Sequence, residues 1–118
     1  MHQNWPGLAA ELNPLVADLR LNAPEVMAAF SQMAQAAGKA GALDAKTKEL
    51  IAYALSVATR CDPCITYHAK AAARLGASKE EIAETLGMAI YMGAGPSVMY
   101  AAKALEAFEQ YREKQAAA

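Results

Sequence analysis

The chain has 118 residues, of which 55% are apolar and 19% are charged, and its formal net charge is −1. Because it has no cluster of basic residues to meet a phosphate backbone, nucleic acid is excluded as an expected partner. The length predicts one domain, residues 1–118. The apolar share exceeds the usual ~45–50%, which favours a homo-oligomer that covers the excess apolar surface.

The sequence also bears on location. We find no apolar run near the ~20 residues that a membrane helix needs, and no basic stretch followed by an apolar core as in a signal peptide. We therefore expect a cytoplasmic protein without a membrane partner. In that reducing compartment the two cysteines, Cys61 and Cys64, are expected to be redox-active or metal-binding and not a structural staple.

Apolar residues recur at helical spacing along almost the whole chain, which predicts an all-α fold of about six helices. The first helix is interpreted as beginning at Asn13, with Pro14 in its first turn. A second helix is predicted from Pro24 to Ala37, before Gly38 ends it. A third follows Asp44 as its N-cap and ends near Thr59. Its expected core residues are Leu50, Ile51, Ala54, Leu55 and Ala58.

Two further helices are predicted in the last third of the chain. Ser78 and Glu81 match a capping box at the start of the first of them. Two glycines and a proline within residues 93–96 are expected to end it. The last helix is predicted over about residues 97–112, and residues 115–118 are expected to fray.

The fourth predicted helix carries the residues best suited to chemistry. Asp62 and Pro63 indicate its cap and first residue, so Cys61 would precede the cap and Cys64 would lie in the first turn. Backbone N–H groups and the helix dipole favour a thiolate there. His68 follows Cys64 by one turn on the same face, where its imidazole can take the thiol proton. Since Cys61 can form a disulfide with Cys64, the spacing suits attack by one thiolate and resolution by the other.

Other interpretations of these residues stay open. Cys61, Cys64 and His68 could bind zinc, although a closed structural site needs four ligands and only His2, near the start of the sequence, could add one. The cysteines could also be buried and unreactive. His68 could be a core histidine, and Glu49 a solvent-exposed helix carboxylate.

The pattern Glu-x11-Cys-x2-Cys-x3-His, present as Glu49, Cys61, Cys64 and His68, resembles the AhpD-like alkylhydroperoxidases of the carboxymuconolactone decarboxylase family. The resemblance covers about residues 20–113. It implies an all-helical fold and a homo-oligomer, often a trimer or hexamer. It also implies reduction of a peroxide by the cysteine pair, with an external dithiol as reductant and no bound cofactor.

The same resemblance implies a role for each residue: Cys64 attacks, Cys61 resolves, and His68 with Glu49 relays protons. Members of the family can carry a second histidine between the cysteines, where this chain has an Asp-Pro pair. Twelve residues of straight helix would separate Glu49 from Cys61 by about 18 Å, and helix side chains lean toward their own N-terminus. We therefore expect Glu49 to act only through His68 and a water, at a steep helix crossing, or in a neighbouring subunit.

Two functions compete with a dithiol peroxidase. One is the lactone decarboxylation after which the family is named, although branches with that activity need no cysteine pair. The other is a non-catalytic helical module, either a redox sensor or an oligomer held together by zinc. The pair Cys61 and Cys64 favours redox catalysis over both alternatives.

Overall fold

The computed structural model describes residues 1–117, which form α-helices and no strands, and this confirms the all-α prediction. The helices are α1 (Trp5–Asn22), α2 (Pro24–Gly38), α3 (Ala45–Ala58), α4 (Asp62–Arg74) and α5 (Lys79–Ala117). The predicted fifth and sixth helices are the two parts of α5. They meet at Ala94, whose φ of 53° and ψ of −137° interrupt the helical backbone.

The first helix begins at Trp5, earlier than its predicted start at Asn13. The side chain of Asn4 caps it by accepting the backbone N–H of the third residue along, at 3.0 Å. Pro6 then occupies the first turn, where a missing N–H is not needed. Pro14 lies inside the helix and is exposed. The prediction was wrong because it took the second of two proline signals as the helix start.

The core lies where α3, α4 and α5 pack on one another, with the start of α1 against them. Tyr53 is fully buried, and burial raises the pKa of its phenol, which donates its proton in a hydrogen bond to the Ala104 carbonyl. The other large side chains with no exposed surface are Trp5, Val57, Ile65, Thr66, Ile82 and Phe108. These contacts fix α3 and α4 side by side.

The buried face of α3 differs from the predicted one. Its buried residues are Tyr53, Ser56 and Val57. Two of the five predicted core residues, Leu50 and Ala54, are half-buried at the edge of the core. The other three are exposed: Ile51, Leu55 and Ala58. The helix carries more than one apolar stripe, and the buried stripe contains a serine, which a pattern of apolar residues alone does not select. The Ser56 hydroxyl stays satisfied because it donates to the Ala52 carbonyl at 2.8 Å.

The predicted caps of α3 and α5 are confirmed. Asp44 accepts the backbone N–H of Thr47 at 2.7 Å at the start of α3. Before α5, the Ser78 hydroxyl accepts the Glu81 N–H at 3.0 Å, and the Glu81 carboxylate accepts the Ser78 N–H at 2.9 Å. Lys46 on α3 pairs with the same carboxylate at 2.8 Å. These contacts link the starts of the two helices.

α2 contributes no buried residue. Three of its four large apolar side chains are exposed, as are several on the second half of α1 and in the middle of α5. The exposed ones are Leu15, Leu19, Val26, Phe30, Met33, Met88, Tyr91 and Met92. Exposed apolar surface on this scale is typical of a protein interface. None of the helices within residues 1–117 has the length and apolarity to cross a membrane.

The two ends of the chain are held together by Glu106. Its carboxylate accepts hydrogen bonds from the backbone N–H of His2 at 2.6 Å, the backbone N–H of Gln3 at 3.0 Å and the indole N–H of Trp5 at 2.9 Å. α5 remains helical to Ala117, so the fraying predicted for residues 115–118 is wrong up to that residue. The expectation for Ala118 lies outside the described residues.

Glu106→Ala should lower the free energy of unfolding by about 1 kcal/mol or more, because it leaves the indole N–H of Trp5 without its partner. It should also speed hydrogen exchange at the His2 and Gln3 amides. Glu113→Ala, an exposed carboxylate on the same helix, is the matched control and should change stability by less than about 0.5 kcal/mol. Equal effects of the two changes in urea denaturation would contradict this role for Glu106.

Candidate active site at the turn between α3 and α4

Cys61 and Cys64 are joined by a disulfide at the N-terminus of α4, with their Cα atoms 5.2 Å apart. Cys61 is itself the N-cap, and its Sγ accepts the backbone N–H of Cys64 at 3.2 Å. The prediction that Asp62 caps the helix and that Cys61 precedes the cap was therefore wrong by one residue. Asp62 is the first helical residue, and its carboxylate turns toward Lys103. Both sulfur atoms consequently lie at the end of α4 where free N–H groups favour a thiolate.

The turn between the helices is short and closed by backbone hydrogen bonds. Only three residues connect α3 to α4. Arg60 has a φ of 55°, a left-handed conformation in which glycine is usual. Its N–H donates to the Val57 carbonyl at 3.0 Å, and the Cys61 N–H donates to the Ser56 carbonyl at 3.1 Å. These two bonds form a Schellman motif at the end of α3, so Cys61 both completes the end of α3 and caps α4.

Glu49 and His68 are in direct contact within one chain, as Nδ1 of the imidazole is hydrogen-bonded to Oε1 of the carboxylate. Of the routes expected for Glu49, the one through His68 agrees with this contact, and the contact needs no neighbouring subunit. Glu49 lies nine residues before the end of α3, and His68 lies six residues after the start of α4. The two residues therefore lie at levels that differ by three residues, or about 4.5 Å along the helix axes. The two side chains together are long enough to span this difference.

The hydrogen bond to Glu49 determines which imidazole nitrogen is free to accept a proton from a thiol. A carboxylate accepts a hydrogen bond from Nδ1–H, so the neutral imidazole of His68 has its free lone pair on Nε2. The His68 side chain is 38% exposed and the Glu49 side chain 20% exposed, so the pair lies at the edge of the core. Cys64 precedes His68 by one turn of α4. The arrangement thus makes Cys64 a candidate nucleophile, His68 a candidate base on the same helix face, and Glu49 a candidate carboxylate to orient that base.

A model of the carboxymuconolactone decarboxylase family matches residues 24–107 of the chain. The chain belongs to this family. Within the family it is similar to an uncharacterised protein of Cupriavidus necator, with 43% identity over 99 residues, 84% of this chain and 88% of the relative. It is also similar to an uncharacterised protein of Haemophilus influenzae, with 38% identity over 92% of this chain and 96% of the relative.

Solved structures of carboxymuconolactone decarboxylase family proteins share the fold. A family protein from Legionella pneumophila is 53% identical and superposes with a TM-score of 0.90, over 92% of this chain and 96% of that one. A family protein from Thermotoga maritima is 34% identical with a TM-score of 0.74, over 96% of this chain and 93% of that one. Its description gives involvement in an antioxidative response as a possibility. The predicted family and fold are thereby confirmed.

Lys103 is a neighbour of the cysteine pair that no sequence motif indicates. Its Nζ pairs with the two carboxylate oxygens of Asp62 at 2.8 and 2.9 Å, and it lies 4.4 Å from the centre of the Tyr100 ring. The contact joins α5 to the first turn of α4 across 41 residues of sequence. Lys103 neutralises a carboxylate that stands between the cysteines and would otherwise disfavour a thiolate in this member of the family.

Lys103→Gln should slow alkylation of the reduced cysteines by iodoacetamide at pH 7 by roughly three- to ten-fold, because the Asp62 charge is then uncompensated. Adding Asp62→Asn to Lys103→Gln should restore the rate. Lys46→Gln, which removes a lysine paired with Glu81 elsewhere, is the control and should leave the rate unchanged. A slow rate that persists in the double variant would refute the electrostatic explanation.

Proposed function

We propose that the chain is a thiol-dependent peroxidase that reduces a peroxide through Cys61 and Cys64 and regains its thiols from an external dithiol. The observation that carries the proposal is the joined cysteine pair at a helix N-terminus, one turn from a histidine whose Nδ1 is bonded to a carboxylate. In the reduced protein His68 would take the Cys64 proton on Nε2. The Glu49 carboxylate would then stabilise the imidazolium through Nδ1–H.

The first step would be attack by the Cys64 thiolate on one peroxide oxygen. An S–O bond forms, the O–O bond breaks, and the departing alkoxide takes the proton held by His68 and leaves as an alcohol. The sulfur is oxidised by two electrons to a sulfenic acid, and the peroxide is reduced by the same two electrons. Glu49 supports both halves of the step because it holds the imidazole in one orientation while the proton arrives and leaves.

The second step would be attack by Cys61 on the sulfenic sulfur of Cys64. An S–S bond forms, and the hydroxide that leaves takes the Cys61 proton and departs as water. In the joined state the Cα atoms are 5.2 Å apart, within the usual range for a disulfide. An external dithiol would then reduce the disulfide by two successive exchange steps, forming its own disulfide and restoring both thiols.

Cys64 is proposed as the attacking residue because His68 lies one turn away on its face of α4. The helix terminus alone does not distinguish the two sulfurs, since both lie there. The antioxidative description of the Thermotoga maritima relative supports a redox activity. Lactone decarboxylation, the alternative that gives the family its name, assigns no task to a joined cysteine pair.

Single cysteine variants test the assignment. With Cys61→Ser, one equivalent of cumene hydroperoxide should give a sulfenic acid on Cys64 that a dimedone reagent traps. With Cys64→Ser, no adduct should form, because the remaining thiol lacks a base on its helix face. Mass spectrometry of the labelled peptides provides the measurement. An adduct on Cys61 in Cys64→Ser, with none on Cys64 in Cys61→Ser, would reverse the two roles.

His68→Ala should slow formation of this sulfenic acid, most strongly at low pH, where an unassisted thiol keeps its proton. Glu49→Gln should slow it less, since the imidazole remains but is less firmly oriented. The matched control is His2→Ala, because His2 is the other histidine and binds Glu106 through its backbone N–H. Stopped-flow rates at several pH values provide the measurement. Equal rates in His68→Ala and His2→Ala would remove the histidine from the mechanism.

We also propose that the chain forms a closed homo-oligomer, a trimer or hexamer, that covers its exposed apolar side chains. α2 has no buried residue in the single chain, and Phe30 and Met33 on it are 57% and 61% exposed. Phe30→Glu should therefore dissociate the assembly, whereas Gln35→Glu adds the same charge on an exposed polar position of α2 and should not. Light scattering at micromolar concentration tests this. A monomeric parent protein would contradict the proposal.

A further inference from the structure

A cavity lies between α1, α4 and the end of α5, and it has a volume of about 420 Å³. Seven side chains with polar groups line it: Asn13, Tyr67, Lys70, Arg74, Tyr111, Lys114 and Gln115. Alanines of α1 and α4, together with Pro6, supply apolar lining. This volume is within the range of about 300–1,000 Å³ found for small-molecule sites.

The cavity is separate from the cysteine pair. Lys70 follows His68 by two residues, which rotates it about 200° around α4, to the opposite side of the helix. The face of α4 that carries Lys70 also carries Tyr67, three residues earlier, and Arg74, four residues later. None of the four residues proposed for peroxide reduction lines the cavity. The cavity therefore needs its own explanation.

Three cations surround this cavity without a carboxylate among its lining residues. Within residues 1–117, Lys70, Arg74 and Lys114 form no ion pair, although other lysines of the chain do. Arg74 and Lys114 stand in the last turns of their helices, where the dipole favours a cation. Lys70 lies before the last turn of α4, so the helix dipole does not account for its position. The dipole also does not explain why the three cations lie around the same cavity. The excess positive charge fits an anion.

The hydroxyl groups of the two tyrosines are held by hydrogen bonds. The Tyr67 hydroxyl donates to Oδ1 of Asn13, and the Tyr111 hydroxyl is 2.8 Å from the Thr66 hydroxyl. Burial raises the pKa of the Tyr111 phenol, so it adds no negative charge. Their rings lie beside an alanine-lined wall to which Ala10 belongs. This lining suits an alkyl body better than a fully hydrated ion.

We propose that the cavity binds a small organic acid, with its carboxylate among the three cations and its alkyl chain against the alanines and tyrosine rings. Lys70 and Arg74 would make charge-assisted hydrogen bonds to the carboxylate. The proposal does not depend on the redox role of Cys61 and Cys64. Loss of either cysteine should leave this binding unchanged.

Octanoate is the probe, and titration calorimetry on the full chain is the measurement. Octanoate should bind saturably, about ten-fold or more tightly than octanol, which lacks the charge, and than acetate, which lacks the alkyl chain. The double change Lys70→Gln with Arg74→Gln should weaken octanoate binding by about ten-fold or more. Arg20→Gln, which removes an exposed cation of α1 outside the cavity, should not.

Ala10→Leu provides a second test that does not alter charge. Ala10 is exposed and lines the cavity on α1, so leucine there is compatible with the helix and should block the alkyl chain. It should weaken octanoate more than acetate. Octanoate that fails to saturate, octanol that binds as tightly as octanoate, or full affinity in both the double variant and Ala10→Leu would overturn the proposal. If the double variant does not fold, Ala10→Leu and the octanol comparison decide it.

Discussion

The hydrogen bonds of the turn around Cys61 determine the geometry of the whole candidate site. The backbone N–H of this residue completes the Schellman motif of α3, while its sulfur accepts the Cys64 N–H at the start of α4. Because one residue serves both helices, the connection is only three residues long. Its length fixes the offset between α3 and α4, and with it the side chains that can meet across them.

The contact between Glu49 and His68 follows from that offset. A longer connection would let α4 slide or rotate against α3 and would separate the carboxylate from the imidazole. Lys103 restrains the same end of α4 from the side of α5 through Asp62. Two independent contacts thus hold the first turns of α4, and with them the positions of His68, Glu49 and the two sulfurs.

Much of this architecture could be predicted from the sequence. Capping residues placed the starts of α3 and α5, and the residue spacing placed His68 one turn after Cys64. The core face of α3 could not be predicted, because an alanine-rich helix has several apolar stripes and the buried one is chosen by its neighbours. The contacts of Glu49 and Lys103 were also hidden, since they depend on packing between separate helices.

Peroxide reduction by the cysteine pair is the central claim, and a stoichiometric titration tests it most directly. The fully reduced protein would be mixed with one equivalent of cumene hydroperoxide, and remaining peroxide and free thiols would be counted over time. We predict loss of two thiols for each peroxide consumed, faster than with free cysteine, and formation of the Cys61–Cys64 disulfide. Thiol loss no faster than that of free cysteine, or a disulfide formed while the peroxide remains, would contradict the account.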